Sequence, residues 1–234
     1  NAVFGEVRAP RFQLQHGPQR LGNLRMGQVR NQLASTAVPL ELRMKALLAL
    51  QDVPGRQASA ILRDVLSDPS DDLRLLAFGM LDGKEKQLNE RIHDASDALK
   101  NALDPQAEFA ASKQLAELYW ELIYQGLVQG DMRRHAMEQV KKHVGKALAH
   151  HQADGGLWVI AGRVRLLERD HAGARAAFET AVEQQFPRVR VEPYLAELAF
   201  LRHDFPAVRQ HMENIQKEGR SQQMALVAAY WGQA

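Results

Sequence analysis

Gly79-Met80-Leu81-Asp82-Gly83-Lys84 is the stretch that most nearly spells phosphate chemistry. A phosphate-cradling loop needs four residues between its glycines and a Ser or Thr after the Lys. Here three residues separate the glycines and Glu85 follows the Lys. Gly79 also falls inside a predicted helix, so the stretch reads as a helix that terminates at Gly83. His143, His150 and His151 raise the question of a metal. On a helix His143 and His150 share a face but stand two turns apart, about 10.5 Å, too far to chelate one ion. They read instead as solvated histidines near a helix C-terminus. Asp71-Asp72 suits a helix start better than a cation site. Tyr119, Trp120 and Tyr124 can line a pocket, but their spacing favours packing between helices. Neither a Gly-x-Ser-x-Gly elbow nor a His-Glu-x-x-His helix occurs. The chain has no cysteine, which excludes disulfides, a Cys zinc site, an iron–sulfur cluster and a thiol nucleophile. No catalytic residue, metal ligand or cofactor is therefore assigned.

The elements behind these residues are helical by composition. The 234 residues include 33 Ala and 30 Leu, against 16 Val, 5 Ile and 2 Thr. Ala and Leu favour helices, whereas β-branched residues lose rotamer freedom there and suit strands. A net charge of +2 is too small to imply nucleic-acid binding. Apolar runs such as Leu75 to Leu81, seven residues, fall far short of the roughly 20 that span a bilayer.

Two internal periodicities organise the chain. At an offset of 31 residues, Leu42, Arg43, Ala46, Leu47 and Leu50 fall on Leu73, Arg74, Ala77, Phe78 and Leu81. Between them Ala58, Ile61, Leu62, Val65 and Leu66 form a helical stripe. Ser67-Asp68-Pro69-Ser70 then stops one helix and starts the next. Residues 37–82 resemble the HEAT repeat family. That resemblance implies that the Ala residues keep paired helices close and that an acid and an Arg tie adjacent turns. At an offset of 34, Asp170, Ala174, Arg175, Phe178 and Ala181 fall on Asp204, Val208, Arg209, Met212 and Ile215. Trp158, Gly162, Ala174, Phe178 and Ala181, with Pro187 following, resemble the tetratricopeptide (TPR) pattern. The departures are Ala161 where Leu is usual, Arg165 where an aromatic is usual, and a late Pro. Gly162 is expected at a close helix–helix contact with Ala174, with Trp158 and Phe178 largely buried.

The expected architecture is all-α: an α-solenoid of about ten or eleven helices, HEAT-like at first and TPR-like after. Residues 1–30 read as a basic linker or juxtamembrane arm, with five arginines against Glu6 and repeated Gly and Pro. Residues 31–103 hold the HEAT-like repeats and a bridging helix striped by Leu88, Ile92, Ala95 and Leu99. Residues 104–234 hold the TPR-like repeats, with Ser221–Trp231 as a capping helix. Because the chain opens at Asn1 without Met, it is expected to be an excised or processed piece of a longer protein.

In a TPR-like stack the first helices of successive repeats line a concave groove. The register puts Val159, Arg163 and Leu166 there from one repeat, and Glu197 and Phe200 from the next. These five are the expected contacts to a partner protein. The feature order is a basic segment, then residues 71–86 (DDLRLLAFGMLDGKEK), then residues 116–131 (AELYWELIYQGLVQGD), then a TPR pair. It resembles the PelE family, an inner-membrane component of the bacterial Pel exopolysaccharide (biofilm) synthesis machinery. The resemblance implies a non-enzymatic scaffold on the cytoplasmic face of the inner membrane, with transmembrane helices preceding this chain. It implies as partners the glycosyltransferase, the membrane transport subunit and the cyclic-di-GMP receptor of that system, and no nucleic acid. The alternative is an enzyme or nucleotide-binding module with its site between the repeat blocks. Several ionisable groups with shifted pKa values in one pocket would favour that alternative, and a groove of exposed apolar and charged rungs the scaffold.

Overall fold

The computed structural model describes residues 23–51, 53 and 56–217. Those residues are all-α, with ten helices and no strand among them. The expected capping helix Ser221–Trp231 and residues 1–22 of the expected arm lie outside the described residues. Packing divides the chain into two units, residues 1–77 and 78–234.

The first unit holds α1 (Asn23–Ala34), α2 (Leu40–Leu48), α3 (Arg56–Val65) and the start of α4 (Asp71–Lys100). Helix α1 begins at Asn23, inside the stretch expected as a linker or arm to residue 30. Met26 and Leu33 are buried two turns apart with Val29 between, a short apolar stripe that Gly22 and Gly27 obscure in the sequence. Leu47, Leu50, Leu62 and Leu73 complete the core, each fully enclosed. At its margin the Arg43 and Asp68 side chains are only 6% and 9% exposed and form an ion pair. Arg43 also donates from Nε to the Leu33 carbonyl at 2.9 Å. Asp68 accepts from the Ser70 amide at 2.9 Å, and its carbonyl accepts from Arg74 at 2.7 Å. A buried ion pair persists only when further hydrogen bonds satisfy both ions, as these do. Asp68 thus holds both Arg43 and Arg74, while Asp71 pairs with Arg74 in the first turn of α4.

Helix α4 does not terminate at Gly83; it runs 30 residues, from Asp71 to Lys100. A glycine in a helix costs only about 1 kcal/mol. Lys84, Glu85, Lys86 and Gln87 are good helix formers, and Leu88, Ile92 and Ala95 beyond them are buried. Burial of that stripe outweighs one weak turn.

The second unit continues with α5 (Pro105–Gln125), α6 (Gly130–His150), α7 (Gly155–Leu167), α8 (His171–Glu183), α9 (Arg188–Leu201) and α10 (205–217). Neighbouring helices pack as α5 on α6, α6 on α7, α7 on α8 and α8 on α9. Aspartates set the starts of α5, α7 and α8: Asp104, Asp154 and Asp170 each accept an amide from the first turn of the following helix. Asp204 does the same for the Ala207 amide. One cluster joins the Leu88–Ile92–Ala95 stripe of α4 to Leu115, Val140, Val144 and Leu157. A second joins Val159, Ala174, Phe178, Ala181, Val191 and Leu195. Here Gly162 makes a close contact with Phe178 of α8, where a Cβ would sit 2.5 Å from Phe178 Cε1, and Ala174 and Phe178 are fully buried as expected of the core. Trp158 is less enclosed than expected. It is half-buried and donates from Nε1 to the Gln152 carbonyl at 2.9 Å.

Candidate functional site

Within the second unit, α5, α7 and α9 border a pocket of about 490 Å³. Helix α5 supplies Glu117, Trp120 and Glu121, and α7 supplies Gly156, Val159, Ile160 and Arg163. Phe186, beyond α8, and Arg190 of α9 complete the lining. The α7 residues recur at helical spacing, so one helix turns both apolar and charged groups onto the same concavity.

Arg163 is its most constrained member. Its guanidinium carbon lies 5.5 Å from the Trp120 ring, 5.9 Å from Tyr124 and 4.7 Å from Tyr194. Electron-rich ring faces attract the cation. The Tyr194 hydroxyl accepts a hydrogen bond from Arg163, and Arg163 Nε is buried with no acceptor among the described residues. Tyr194 is itself stacked on Phe178 at 5.1 Å, which ties this cage to the α7–α8 core. Neither Arg163 nor Arg190 forms an ion pair among the described residues, whereas Arg43, Arg74, Arg134, Arg175 and Arg188 all do.

The opposite wall is acidic. Glu121 accepts from Gln125 at 2.6 Å, and Gln125 makes a further interaction. Desolvation holds Glu117 above the ordinary glutamate range although the residue as a whole is exposed; Lys113 opposes this and Asp154 adds to it. Burial also acts to raise Asp154, but hydrogen bonds from Lys113 and the Leu157 amide outweigh it and leave its carboxyl below the usual range. Asp154 both starts α7 and pairs with Lys113 of α5 at 2.6 Å, so one carboxylate fixes the two helices that wall the pocket.

The five residues expected to contact a partner fall in different places. Val159 and Arg163 meet in the pocket, but Val159 is 4% exposed and serves mainly as core. Leu166 is half-buried against the second cluster rather than presented as a rung. Glu197 and Phe200 are exposed on α9 and do not line the pocket; Phe200 lies edge-on to Phe205 at 6.2 Å. The pocket residues that sequence reasoning missed are Glu117, Glu121, Gly156, Ile160, Phe186 and Arg190. Trp120 of the Tyr119-Trp120-Tyr124 group is both buried and pocket-lining, while Tyr119 stacks on His143. The signal for α5 was the Trp120–Tyr124 pair one turn apart, flanked by Glu117 and Glu121 at the same spacing.

His143 is not a solvated histidine. It is 5% exposed, and its Nδ1 has no partner. Burial, with Lys142 and Lys146 nearby, pushes it down to about 4. His150 and His151 are exposed as expected, His150 lying 3.3 Å from Glu108. Among the described residues no three His, Asp or Glu side chains are grouped to hold a metal ion. No described helix is long and apolar enough to cross a membrane. No family model, no curated protein and no solved structure matches the chain.

Proposed function

We propose that this chain is a non-catalytic protein-interaction scaffold, an α-solenoid whose HEAT-like first part is followed by TPR-like repeats, and that α5, α7 and α9 form its partner-binding groove. The observation that carries this reading is the Arg163 cage. An arginine held by three aromatic rings beside an apolar floor, with no acid partner among the described residues, is the kind of group that dominates protein interfaces. The resemblance to PelE belongs to this proposal. It would set the groove at the cytoplasmic face of the bacterial inner membrane. The Pel glycosyltransferase, transport subunit and cyclic-di-GMP receptor would then be the candidate partners.

The test is site-specific photo-crosslinking in cells with the full-length protein. A photoreactive residue at Arg190, exposed and pocket-lining, is compared with one at Glu179, exposed on α8 and outside the pocket lining. Crosslinks to one defined protein from position 190 and not from 179 are expected. Equal crosslinking from both, or none from 190, would overturn the groove assignment.

A further inference from the structure

We propose that the pocket between α5, α7 and α9 selects a mixed-charge segment of a partner protein. An acidic side chain would sit on Arg163 and Arg190, an apolar one on Val159, Ile160 and Phe186, and a basic one on Glu117 and Glu121. This rests on the groove reading above and specifies its ligand.

Charge decides the ligand class. The lining carries two guanidinium groups and two carboxylates, drawn from facing elements: both acids from α5, the arginines from α7 and α9. The four charges cancel. A nucleic-acid strand or a multiply phosphorylated ligand would meet the acidic wall with the same force that drew it to the basic one. An all-basic segment would meet the reverse. Only a ligand that carries both signs, separated by an apolar residue, is favoured by both walls and by the floor.

Availability points the same way. Arg163 and Arg190 have no acid partner among the described residues, so binding an acidic side chain breaks no existing pair. The rings of Trp120, Tyr124 and Tyr194 and the Tyr194 hydroxyl already hold the Arg163 fork. The ordering cost that usually reduces the yield of a long side chain at an interface has been met in the free protein. Its donor capacity is also under-used, since Nε is buried without an acceptor. On the facing wall desolvation disfavours the charge of Glu117, a penalty that an incoming ammonium or guanidinium would offset. A volume near 490 Å³ suits a few side chains rather than a folded element.

The test measures fluorescence anisotropy of short labelled peptides on the full chain. The cores compared are Glu-Leu-Leu-Lys and its reverse, Lys-Leu-Leu-Glu, in one neutral background. Controls have the acid or the base replaced by Gln, or both charged positions of like sign. One of the two mixed orders should bind roughly ten-fold more tightly than either singly charged control, and high salt should erase the difference. Arg190→Glu should shift preference to the like-sign basic peptide, and Glu121→Lys to the like-sign acidic one. Arg190 is exposed, so its variant should retain the circular dichroism of the parent. Equal affinity for singly and doubly charged peptides, an unchanged ranking in both variants, or binding of none of the peptides would overturn the charge rule. If crosslinking from position 190 still captures one partner in that event, the groove stands and only its ligand chemistry falls. Failure of both experiments removes the groove as well.

Discussion

Burying a histidine with one ring nitrogen unpartnered couples stability to pH. His143 is lowered to about 4 in the fold, against about 6.5 in an unfolded chain. Above pH 6.5 it is neutral in both states and its contribution is complete. As pH falls from 6.5 toward 4 the unfolded chain takes up the proton and the folded one does not, so stability is lost, on the order of 3 kcal/mol. His143→Phe keeps a ring against Tyr119 without the titrating nitrogen, so its urea midpoint should change less between pH 7 and about 4.5 than the parent's. An equal slope would show that His143 is not the cause. Glu192 acts in a different window. Burial raises it, but Arg188, His211 and Asn214 outweigh that and leave it below its usual 4.5. Its contribution is present above that value and is lost only as pH falls further. At the same scale Gly162→Leu should cost about 1–3 kcal/mol, because Phe178 already occupies the space and the pair would be overpacked. An unchanged denaturant midpoint would contradict the contact. Gly162, Ala174 and Phe178 were legible because small and large residues at fixed spacing in paired helices have one way to fit. His143 was not, because a histidine two turns from a helix end carries no mark of burial.

Elements were legible where apolar spacing was long and misread where a glycine outranked it. The Leu88–Ile92–Ala95–Leu99 stripe foretold the second half of α4, yet Gly83 suggested a break that the helix ignores. Gly83 has nothing within 4 Å of where a Cβ would lie. Gly83→Ala should therefore stabilise the protein by about 0.5–1 kcal/mol, read as a raised melting temperature. A lower one would mean that the glycine serves a purpose other than tolerance. The groove shows the same limit differently. The 34-residue offset aligns α7 with α9, but α5 and α6 have 21 residues each against 13 in α7 and α8. Counting back by 34 from Arg163 reaches Gln129, which precedes α6 and is not on α5. The acidic wall was invisible for that reason, and the register on α9 pointed to Glu197 and Phe200 rather than Arg190. The helix ends behave alike. Arg169, Gln185 and His203 follow α7, α8 and α9 with φ near +60°, a conformation that only Gly makes conspicuous in a sequence.

At the scale of the whole molecule, the chain divides into two units, and the tryptophans sample only one. Trp120, Trp158 and Trp231 all belong to residues 78–234, so tryptophan fluorescence reports the second unit while far-ultraviolet circular dichroism reports both. The first unit depends on the Arg43–Asp68 pair, whose partners are almost fully enclosed. Removing one member leaves an uncompensated buried charge, a loss of about 3–5 kcal/mol. For a unit that small this is much of a typical domain's total stability. In Arg43→Ala, part of the helical signal should therefore disappear at lower urea than in the parent, while the fluorescence midpoint stays where it was. The two probes would then trace different transitions, the signature of a chain that does not unfold in one step. If fluorescence and circular dichroism shift together in this variant, the units share one cooperative transition. The Arg163 groove would then depend on the first unit for its stability, and groove variants would need to be read against the stability of the entire chain.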